Sequence, residues 1–459
     1  MPPGRGIEWR DTAWRPPLPC APLGKAPMEL DRRRFLTATG AVSLTALLAS
    51  CAGFSKPATS AAAGTLTFTT WGTDSELAGF RDQIARFQEA NPGSTVELNA
   101  VPYEQMFTNI DAQLQAGNPP DVFRVPYYTF GSYAGRDQLL DLSDHLPADF
   151  GDRFTRGAWA AVQNGDAPFG VPHHTDTTAI LYNTALMDAA GVTDIPTTLE
   201  DAWTWEEFDA VAAQLRAALP ADQYPFAYNW QGNGVTRWLT WLFEADGRFL
   251  TEDLADAAID SDAARKAVDF TRSFFEKGYV PDNDTIKSST YAQDSWYAQT
   301  TAMVFSGAFS IPDATDTLDF EWGATFAPRD VRAASDFGGN ALVVTKDVAD
   351  PALAAAFLDF VTQEDAMRAF CEGASLLPTR QDLIDSGIEF AVRPELAPVY
   401  VGQASTVQAS DSGQVASPSM SRIITVLQDE LEKAFTSDAS TDDVVAALSA
   451  GIASAVQAG

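Results

Sequence analysis

Hydrophobic and polar positions follow two alternating periods in the first part of the chain after residue 64. A strand-like alternation of apolar and polar residues gives way to a stripe at helical spacing, and this order repeats. It predicts strands at 66–71, 95–98 and 121–125, with helices that start near Asp74 and Tyr103 between them. Such an order implies parallel strands joined by right-handed crossovers, with a binding site at their carboxyl ends.

The remainder of the chain reads as more helical, and we assign the protein to the α/β class. A further strand is predicted at 340–344. Helices are predicted at 206–219, 237–243, 263–277, from Pro351 onward, at 419–435 and at 441–457.

The segment before residue 64 has the features of an export signal. Three arginines, Arg32 to Arg34, precede Phe35-Leu36 and an apolar run that is too short to span a bilayer comfortably. This pattern resembles a twin-arginine signal, and Leu48-Ala49-Ser50-Cys51 resembles a bacterial lipobox. We predict that Cys51 is lipidated and anchors the protein to the outer face of the cell membrane.

Two further predictions concern this segment. Residues 1–50 are interpreted as a non-structural extension plus signal peptide, with either Met1 or Met28 as the true start, and 51–63 as a flexible tether. If Cys51 is lipidated, Cys371 is the one thiol left in the mature chain, which excludes an internal disulfide and a cysteine-based zinc site. We expect Cys371 to be a small buried apolar residue.

The charge balance excludes one class of partner. The chain contains 62 acidic and 30 basic residues, a formal net charge of −32. A surface this negative repels phosphate backbones, so we expect no binding to nucleic acid.

Several short motifs, in a fixed order, carry a resemblance to a known family. They are Phe87-Gln88-Glu89-Ala90-Asn91-Pro92-Gly93, Ala116-Gly117-Asn118-Pro119-Pro120-Asp121-Val122, Gly170-Val171-Pro172, Leu181-Tyr182-Asn183-Thr184-Ala185-Leu186, Trp205-Glu206-Glu207-Phe208, Ala302-Met303 with Ser306-Gly307, and Phe337-Gly338-Gly339-Asn340. Together they resemble the extracellular solute-binding proteins of ABC importers, in particular the carbohydrate-binding group that includes the maltose-binding type. The resemblance covers about residues 64–459.

The resemblance implies a two-lobe α/β fold of the periplasmic-binding-protein kind, with a ligand cleft between the lobes. Lobe one would comprise 64–175 plus 326–372 and lobe two 176–325 plus 373–459, with a hinge near 174–180. It also implies a monomeric receptor that closes on a sugar and delivers it to an ABC permease, without enzymatic activity and without a cofactor.

Candidate ligand contacts follow from what a sugar requires, namely aromatic faces for stacking and polar groups for its hydroxyls. Trp71 follows the first strand, and Trp230 lies in a polar, glycine-bearing segment. Trp241, on a helix with Trp238, could be either a site or a core residue. The remaining candidates are Trp296, Phe309, Tyr103, Tyr127 and Asp121, together with Gly339 and Asn340, whose turn could bring backbone close to a ligand.

His173 and His174 form the one histidine cluster, near the hinge. Adjacent residues of an extended chain point to opposite faces, so we expect no shared metal ion. The resemblance places this segment at the hinge and cleft, and it implies that His174 or Asp176 contacts the ligand, with a purely structural role as the alternative.

Two alternatives remain open at this point. The sequence lacks recognisable catalytic motifs, but a pair of its many carboxylates could make it a secreted glycoside-active enzyme. The second alternative is an iron-binding protein, because Tyr127-Tyr128 resembles a tyrosine pair of such sites.

Overall fold

The protein is described by a computed structural model over residues 64–458. The predicted export signal, the tether and the lipidation residue Cys51 lie outside these described residues. Strands span β1 (Thr65–Thr70), β2 (Thr95–Ala100), β3 (Val122–Pro126), β4 (Gln163–Asn164), β5 (Ala167–Pro168), β6 (Gly170–Asp176), β7 (Thr178–Asn183), β8 (Tyr224–Tyr228), β9 (Thr301–Gly307), β10 (Trp322–Thr325) and β11 (Gly338–Val344).

Helices connect and cover these strands. They are α1 (Asp74–Ala90), α2 (Tyr103–Gln115), α3 (Tyr127–Ala134), α4 (Arg156–Ala160), α5 (Thr184–Ala190), α6 (Trp205–Ala218), α7 (Leu239–Glu244), α8 (Asp262–Glu276), α9 (Ala292–Tyr297), α10 (Ile311–Thr317), α11 (Pro351–Val361), α12 (Glu364–Ala374), α13 (Gln381–Ser386), α14 (Ala397–Ala404), α15 (Ala409–Val415), α16 (Met420–Thr436) and α17 (Thr441–Gln457). Short 3₁₀ helices occur at Phe150–Arg153, Gly232–Trp238, Ala308–Ser310 and Pro394–Leu396. No helix within residues 64–458 has the length and apolar character needed to cross a membrane.

The first sheet has the strand order β2-β1-β3-β11-β6. Strand β1 pairs in parallel with β2 and β3, which confirms the predicted crossovers, and β11 runs antiparallel to β3 and β6. Both faces are covered: Phe68 packs into one hydrophobic core and Phe123 into the other. Cys371 is fully buried in the first of these cores, as predicted.

The second sheet has the order β10-β7-β9-β8 and also packs on both faces. Ile180 points into a large core shared with helices such as α8 and α16, whereas Leu181 points into a smaller core beneath α14. The two sheets with their helices form the two α/β lobes of the molecule.

The connection between the lobes is short. Strand β6 of the first sheet ends at Asp176, and β7 of the second begins at Thr178, so the chain changes sheets through Thr177. The chain returns to the first sheet between β10 and β11. These two crossings lie beside Asp176 and Asp336. A third crossing follows α13, because α14 packs on β7 of the second sheet.

The start of α1 positions a charged group. The helix begins at Asp74, as predicted, and Thr73 caps it: the Thr73 hydroxyl accepts a hydrogen bond from the Glu76 N–H at 3.4 Å, and the Glu76 carboxylate accepts one from the Thr73 N–H at 2.8 Å. This reciprocal capping box holds Glu76 at the carboxyl end of β1.

Candidate functional site

A cleft of about 370 Å³ lies between the two lobes at the carboxyl ends of their strands. The walls come from the segments that follow β1, β2 and β3 on one side and those that follow β8 and β9 on the other. Seven of the residues predicted from the sequence line it: Trp71, Tyr103, His174, Asp176, Phe309, Gly339 and Asn340.

Trp71 forms an aromatic wall of the cleft with its neighbours on α2. Its half-buried ring lies 5.3 Å from the Tyr103 ring and 5.7 Å from the Phe107 ring, measured between centroids. The Arg124 guanidinium lies 4.5 Å from the centroid of the Trp71 ring, and its Nη1 donates to the Trp71 carbonyl at 2.8 Å. Arg124 therefore fixes the position of Trp71, and the indole lines the cavity.

Arg124 is itself part of a buried ion pair. Its Nη2 lies 2.5 Å from the Glu76 carboxylate, and both side chains are more than nine-tenths buried. A buried pair is stabilised only if its remaining donors and acceptors are satisfied, and Arg124 satisfies one of its donors through His174 Nε2 at 2.9 Å. The pair fixes the floor beneath Trp71.

A second charged group lies where the lobes meet. Arg237 of lobe two is 3.6 Å from Asp176 Oδ2 and 3.8 Å from Asp336 Oδ2, so one cation serves two buried carboxylates. Burial raises the pKa of Asp176 to about 7, and the Asp336 charge acts in the same direction, whereas Arg237 opposes the rise. Asp176 Oδ1 has no hydrogen-bond partner within residues 64–458.

Three tyrosines line the cleft, and one of them joins the lobes. The Tyr103 and Tyr128 hydroxyls of lobe one are 2.6 Å apart, and burial raises the pKa of both. The Tyr291 hydroxyl of lobe two donates to Glu104 Oε1 of lobe one at 3.3 Å. This last contact links α2 to the opposite lobe.

Gly339 lies where backbone approaches backbone. It adopts φ +97°, and a Cβ there would collide with the carbonyl oxygen of His174. The backbone that Gly339 approaches is that of β6, and an approach of this turn to a ligand stays a prediction.

Two predicted residues lie elsewhere in lobe one. Asp121 precedes β3 and therefore occupies the amino end of the sheet, opposite the cleft, where its carboxylate accepts from the Thr67 N–H at 2.7 Å and hydroxyl at 2.9 Å. Tyr127 is fully buried against Phe337. The helical turn that starts α3 directs Tyr128, rather than Tyr127, to the cleft.

Three predicted tryptophans lie in the hydrophobic cores of lobe two. Trp230 is fully buried against Tyr228 and Phe435, and its Nε1 donates to the Asp284 carbonyl at 2.7 Å. Trp241 is buried in the same core, and Trp296 lies in the smaller one against Trp322. Of the tryptophans in residues 64–458, Trp71 alone lines the cleft.

The polar groups of the segment around Trp230 form hydrogen bonds within the protein, which explains why Trp230 lies in the core and not in the cleft as predicted. Asp284 accepts hydrogen bonds from the Tyr228 N–H and from Gln231 Nε2, at 2.8 and 2.7 Å. These bonds fold the segment inward, so its polar residues cover a core tryptophan instead of presenting it to a ligand.

Several groups that line the cleft were not predicted from the sequence. Glu76, Arg124, Tyr128, Arg237 and Tyr291 all do so. Arg124 carried a usable signal, because a lone arginine inside the apolar strand Val122–Pro126 requires a buried partner. The described residues contain no group of three histidine, cysteine or acidic side chains placed to hold a metal ion.

A cavity between two hinged α/β lobes, with an aromatic wall and buried polar groups, is the architecture of a binding protein for a small solute. The sequence model of the bacterial extracellular solute-binding proteins matches residues 71–368, and the chain belongs to that family. The family consists of binding proteins of importers rather than enzymes, and nothing in the comparisons supports the glycoside-active alternative.

Individual relatives carry more specific names. The chain is 23% identical over 357 residues to a maltooligosaccharide ABC transporter solute-binding lipoprotein of Streptococcus pneumoniae, covering 75% of this chain and 80% of that protein. It is 26% identical over 156 residues to an arabinooligosaccharide-binding protein of Halalkalibacterium halodurans, covering 32% of this chain and only 34% of that relative.

Solved structures share the fold at low sequence identity. The GacH receptor of Streptomyces glaucescens, determined without ligand and with acarbose, superposes with a TM-score of 0.72 at 17% identity. The match covers 86% of this chain and 98% of that one. The two-lobe α/β prediction is thereby confirmed.

Proposed function

We propose that this protein is an extracytoplasmic receptor that captures a sugar or oligosaccharide in the cleft and delivers it to an ABC permease. One observation carries the proposal: the half-buried Trp71 lines the cleft together with Asp176 and Asn340, and each of these two residues has a buried side-chain oxygen, Oδ1, that no group within residues 64–458 contacts by a hydrogen bond. An indole face beside hydrogen-bond acceptors suits a ring with an apolar face and hydroxyl edges. The oligosaccharide-binding names of the relatives support the same class of ligand.

The proposed contacts are Trp71, Tyr103, Phe309 and Asp176, with Gly339 and Asn340 on the backbone turn. Ligand would bridge groups of both lobes and favour the closed form. A thermal-shift screen of the purified protein against a carbohydrate library tests this, because a ligand that binds only the folded state raises Tm. The proposal expects at least one oligosaccharide to stabilise wild type and to stabilise Trp71→Ala much less at the same concentration. Equal stabilisation of both proteins would contradict it.

We propose lobe bounds close to those predicted, with one adjustment. Leu383 packs in a core of the first sheet and α13 contacts α12, which supports extending lobe one beyond residue 372 through α13. The crossing at Thr177 supports a hinge at 174–180.

We further propose that the protein functions as a monomer, is exported by the twin-arginine route and is anchored through a lipid on Cys51. The lipobox pattern supports the anchor, and the Streptococcus pneumoniae relative is named as a lipoprotein. Cys51→Ser is expected to release the protein from the membrane fraction, while Cys371→Ser serves as the control. The double change Arg32→Lys and Arg33→Lys is expected to block export. Wild-type fractionation of Cys51→Ser, or unchanged export of the double variant, would overturn the respective part.

A further inference from the structure

The two adjacent histidines at the hinge end of the cleft share one face of their strand. In the pairing of β6 with β11, Asn340 lies opposite His174 and Ala341 opposite Pro172, so His173 is an extra, bulged residue. The bulge cancels the alternation assumed in the sequence analysis, and the two Nδ1 atoms lie 3.0 Å apart. The expectation that the rings face opposite ways was therefore wrong.

The direction of every hydrogen bond in this cluster follows from Arg124. A guanidinium can only donate, so His174 Nε2, 2.9 Å from Arg124 Nη2, must accept. The Asn340 atom 3.0 Å from the same Nε2 must then be the amide Nδ2, which donates. A neutral imidazole with an accepting Nε2 carries its proton on Nδ1.

The chain of hydrogen bonds continues away from the cleft. His174 Nδ1–H donates to His173 Nδ1, which leaves the His173 proton on Nε2. That Nε2–H donates to Gln83 Oε1 at 3.3 Å. Gln83 Nε2 donates in turn to the carbonyls of Val361 and Ala366, at 3.3 and 3.2 Å. All six hydrogen bonds agree on one direction of donation, which ends on helix carbonyls that can only accept.

Burial maintains the neutral rings that this chain requires. His173 and His174 are almost completely inaccessible to solvent. Burial lowers the pKa of His173 to about 3 and that of His174 well below its usual range, and the Arg124 charge acts in the same direction on both.

The hydrogen bonds of this cluster leave no nitrogen of His174 for a ligand. They also determine which atom of the Asn340 amide remains for one. Both His174 nitrogens are engaged, and the Asn340 Nδ2 is committed to His174. Asn340 Oδ1 is left without a partner within residues 64–458. Arg124, which donates to His174, also donates to the Trp71 carbonyl. The His174 ring therefore supports Asn340 directly and the aromatic wall at Trp71 through Arg124.

We propose that His174 is a positioning residue rather than a ligand contact: it fixes the Asn340 amide so that the carbonyl oxygen is the atom offered in the cleft. A ligand hydroxyl at this end of the cleft then has to donate to Asn340 Oδ1 and Asp176 Oδ1. The role of Asn340 toward a sugar rests on the proposed function, whereas the tautomers of the two histidines do not.

Long-range ¹⁵N NMR of the full chain labelled on histidine tests the proposal without any ligand. At about pH 6 we expect His174 as the Nδ1–H tautomer and His173 as the Nε2–H tautomer, both neutral. The exposed His145 is the third histidine and provides the reference signal. The opposite tautomer or an imidazolium at position 174 would overturn the inference.

Two variants at position 174 test the positioning role directly. His174→Gln retains an oxygen that can accept from Arg124 and Asn340, whereas His174→Phe does not. We expect the Asn340 side-chain amide protons to stay protected from solvent exchange in wild type and His174→Gln and to lose that protection in His174→Phe. Equal protection in all three proteins would overturn the role of His174, as would loss in His174→Gln alone. If His174→Phe fails to fold, two measurements still test the positioning role: the histidine tautomers of wild type, and the protection of the Asn340 side-chain amide in His174→Gln.

The outcomes separate this inference from the proposed function. The expected tautomers in a protein that no carbohydrate stabilises would overturn the sugar receptor and leave the positioning role intact. The opposite tautomers in a protein that binds sugar would overturn the positioning role alone.

Discussion

The lobe-two core around Trp230 and the cleft wall around Trp71 are both aromatic clusters beside a buried aspartate, yet they differ in how polar atoms are satisfied. In the core, Trp230 Nε1 donates to the Asp284 backbone and both Asp284 carboxylate oxygens accept hydrogen bonds. In the cleft, Asp176 Oδ1 and Asn340 Oδ1 have no partner in the described part of the chain.

This difference teaches where a binding site can be recognised. Both regions are rich in rings, so aromatic content does not distinguish them. The polar groups around Trp230 are satisfied within the protein, although Trp241 Nε1 of the same core has no partner within residues 64–458. An unpartnered polar atom therefore indicates a ligand site only where its residue also lines the cleft, as Asp176 and Asn340 do. Trp71 is half-buried beside such atoms, while Trp230 is fully enclosed.

The largest expected effect is on stability at the core. Trp230→Ala removes a fully buried indole and leaves a cavity, so we expect a loss of about 3–5 kcal/mol in the free energy of unfolding. Chemical denaturation measures it. Trp71→Ala is the matched control and should lose less, about 1–2 kcal/mol, because its ring is half-exposed and makes fewer contacts. An unchanged unfolding free energy for Trp230→Ala would remove the distinction between the two regions.

The next largest effect is on sugar affinity, to which Trp71 should contribute more than Trp230. Trp71→Ala should weaken binding of a sugar found in the screen by about 2 kcal/mol, as for a central aromatic anchor. This corresponds to roughly a 30-fold increase in Kd, measured by calorimetry. Trp71→Phe keeps a ring and should retain part of the affinity. If the affinity of Trp71→Ala equals that of wild type, the cleft wall is not a stacking surface.

The unsatisfied aspartate of the cleft predicts a pH dependence. The Asp176 pKa in the folded protein, about 7, lies above the ordinary value of 3.8, so the folded state holds more protons between these values. Its contribution to the free energy of unfolding is present below about pH 4 and is lost as the pH rises to 7.

Asp176→Asn isolates that contribution, because the amide does not titrate. Denaturation at about pH 5 and about pH 8 should show a smaller decline than in wild type. Asp222→Asn, a change on an exposed loop, provides the control. Identical pH slopes in Asp176→Asn and wild type would show that Asp176 is not protonated on folding.

The smallest effect concerns the contact between the lobes. Tyr291→Phe removes the donor to Glu104 and should favour the open form by about 0.5–1 kcal/mol. Small-angle scattering of the ligand-free protein should then give a larger radius of gyration. Tyr224→Phe, on a strand of lobe two, is the control. A radius unchanged in Tyr291→Phe would mean that this hydrogen bond does not hold the lobes together.

Local patterns predicted most of the fold because each element is encoded by its own residues. The capped helix after β1 and the parallel pairing of β1 with β2 both follow from periodicity within short windows. The end of lobe one could not be predicted from local patterns, because the packing of Leu383 against the first sheet depends on contacts between residues far apart in the sequence.

The candidate site was predicted only in part for the same reason. Trp71 follows from its position at a strand end and Asp176 from the resemblance that places it at the hinge, whereas the burial of Trp230 depends on Asp284, which is 54 residues away. The bulge at His173 arises from pairing with β11, which no alternation along β6 reveals. Arg237 reaches the cleft only because the lobes face each other.

A crystal structure of the protein with a carbohydrate from the screen would test the central claim most directly. The account predicts a sugar ring stacked on Trp71, with hydroxyl groups donating to Asp176 Oδ1 and Asn340 Oδ1 and no ligand contact to His174 nitrogens. A sugar bound outside the cleft, or bound within it away from Trp71, would contradict the account.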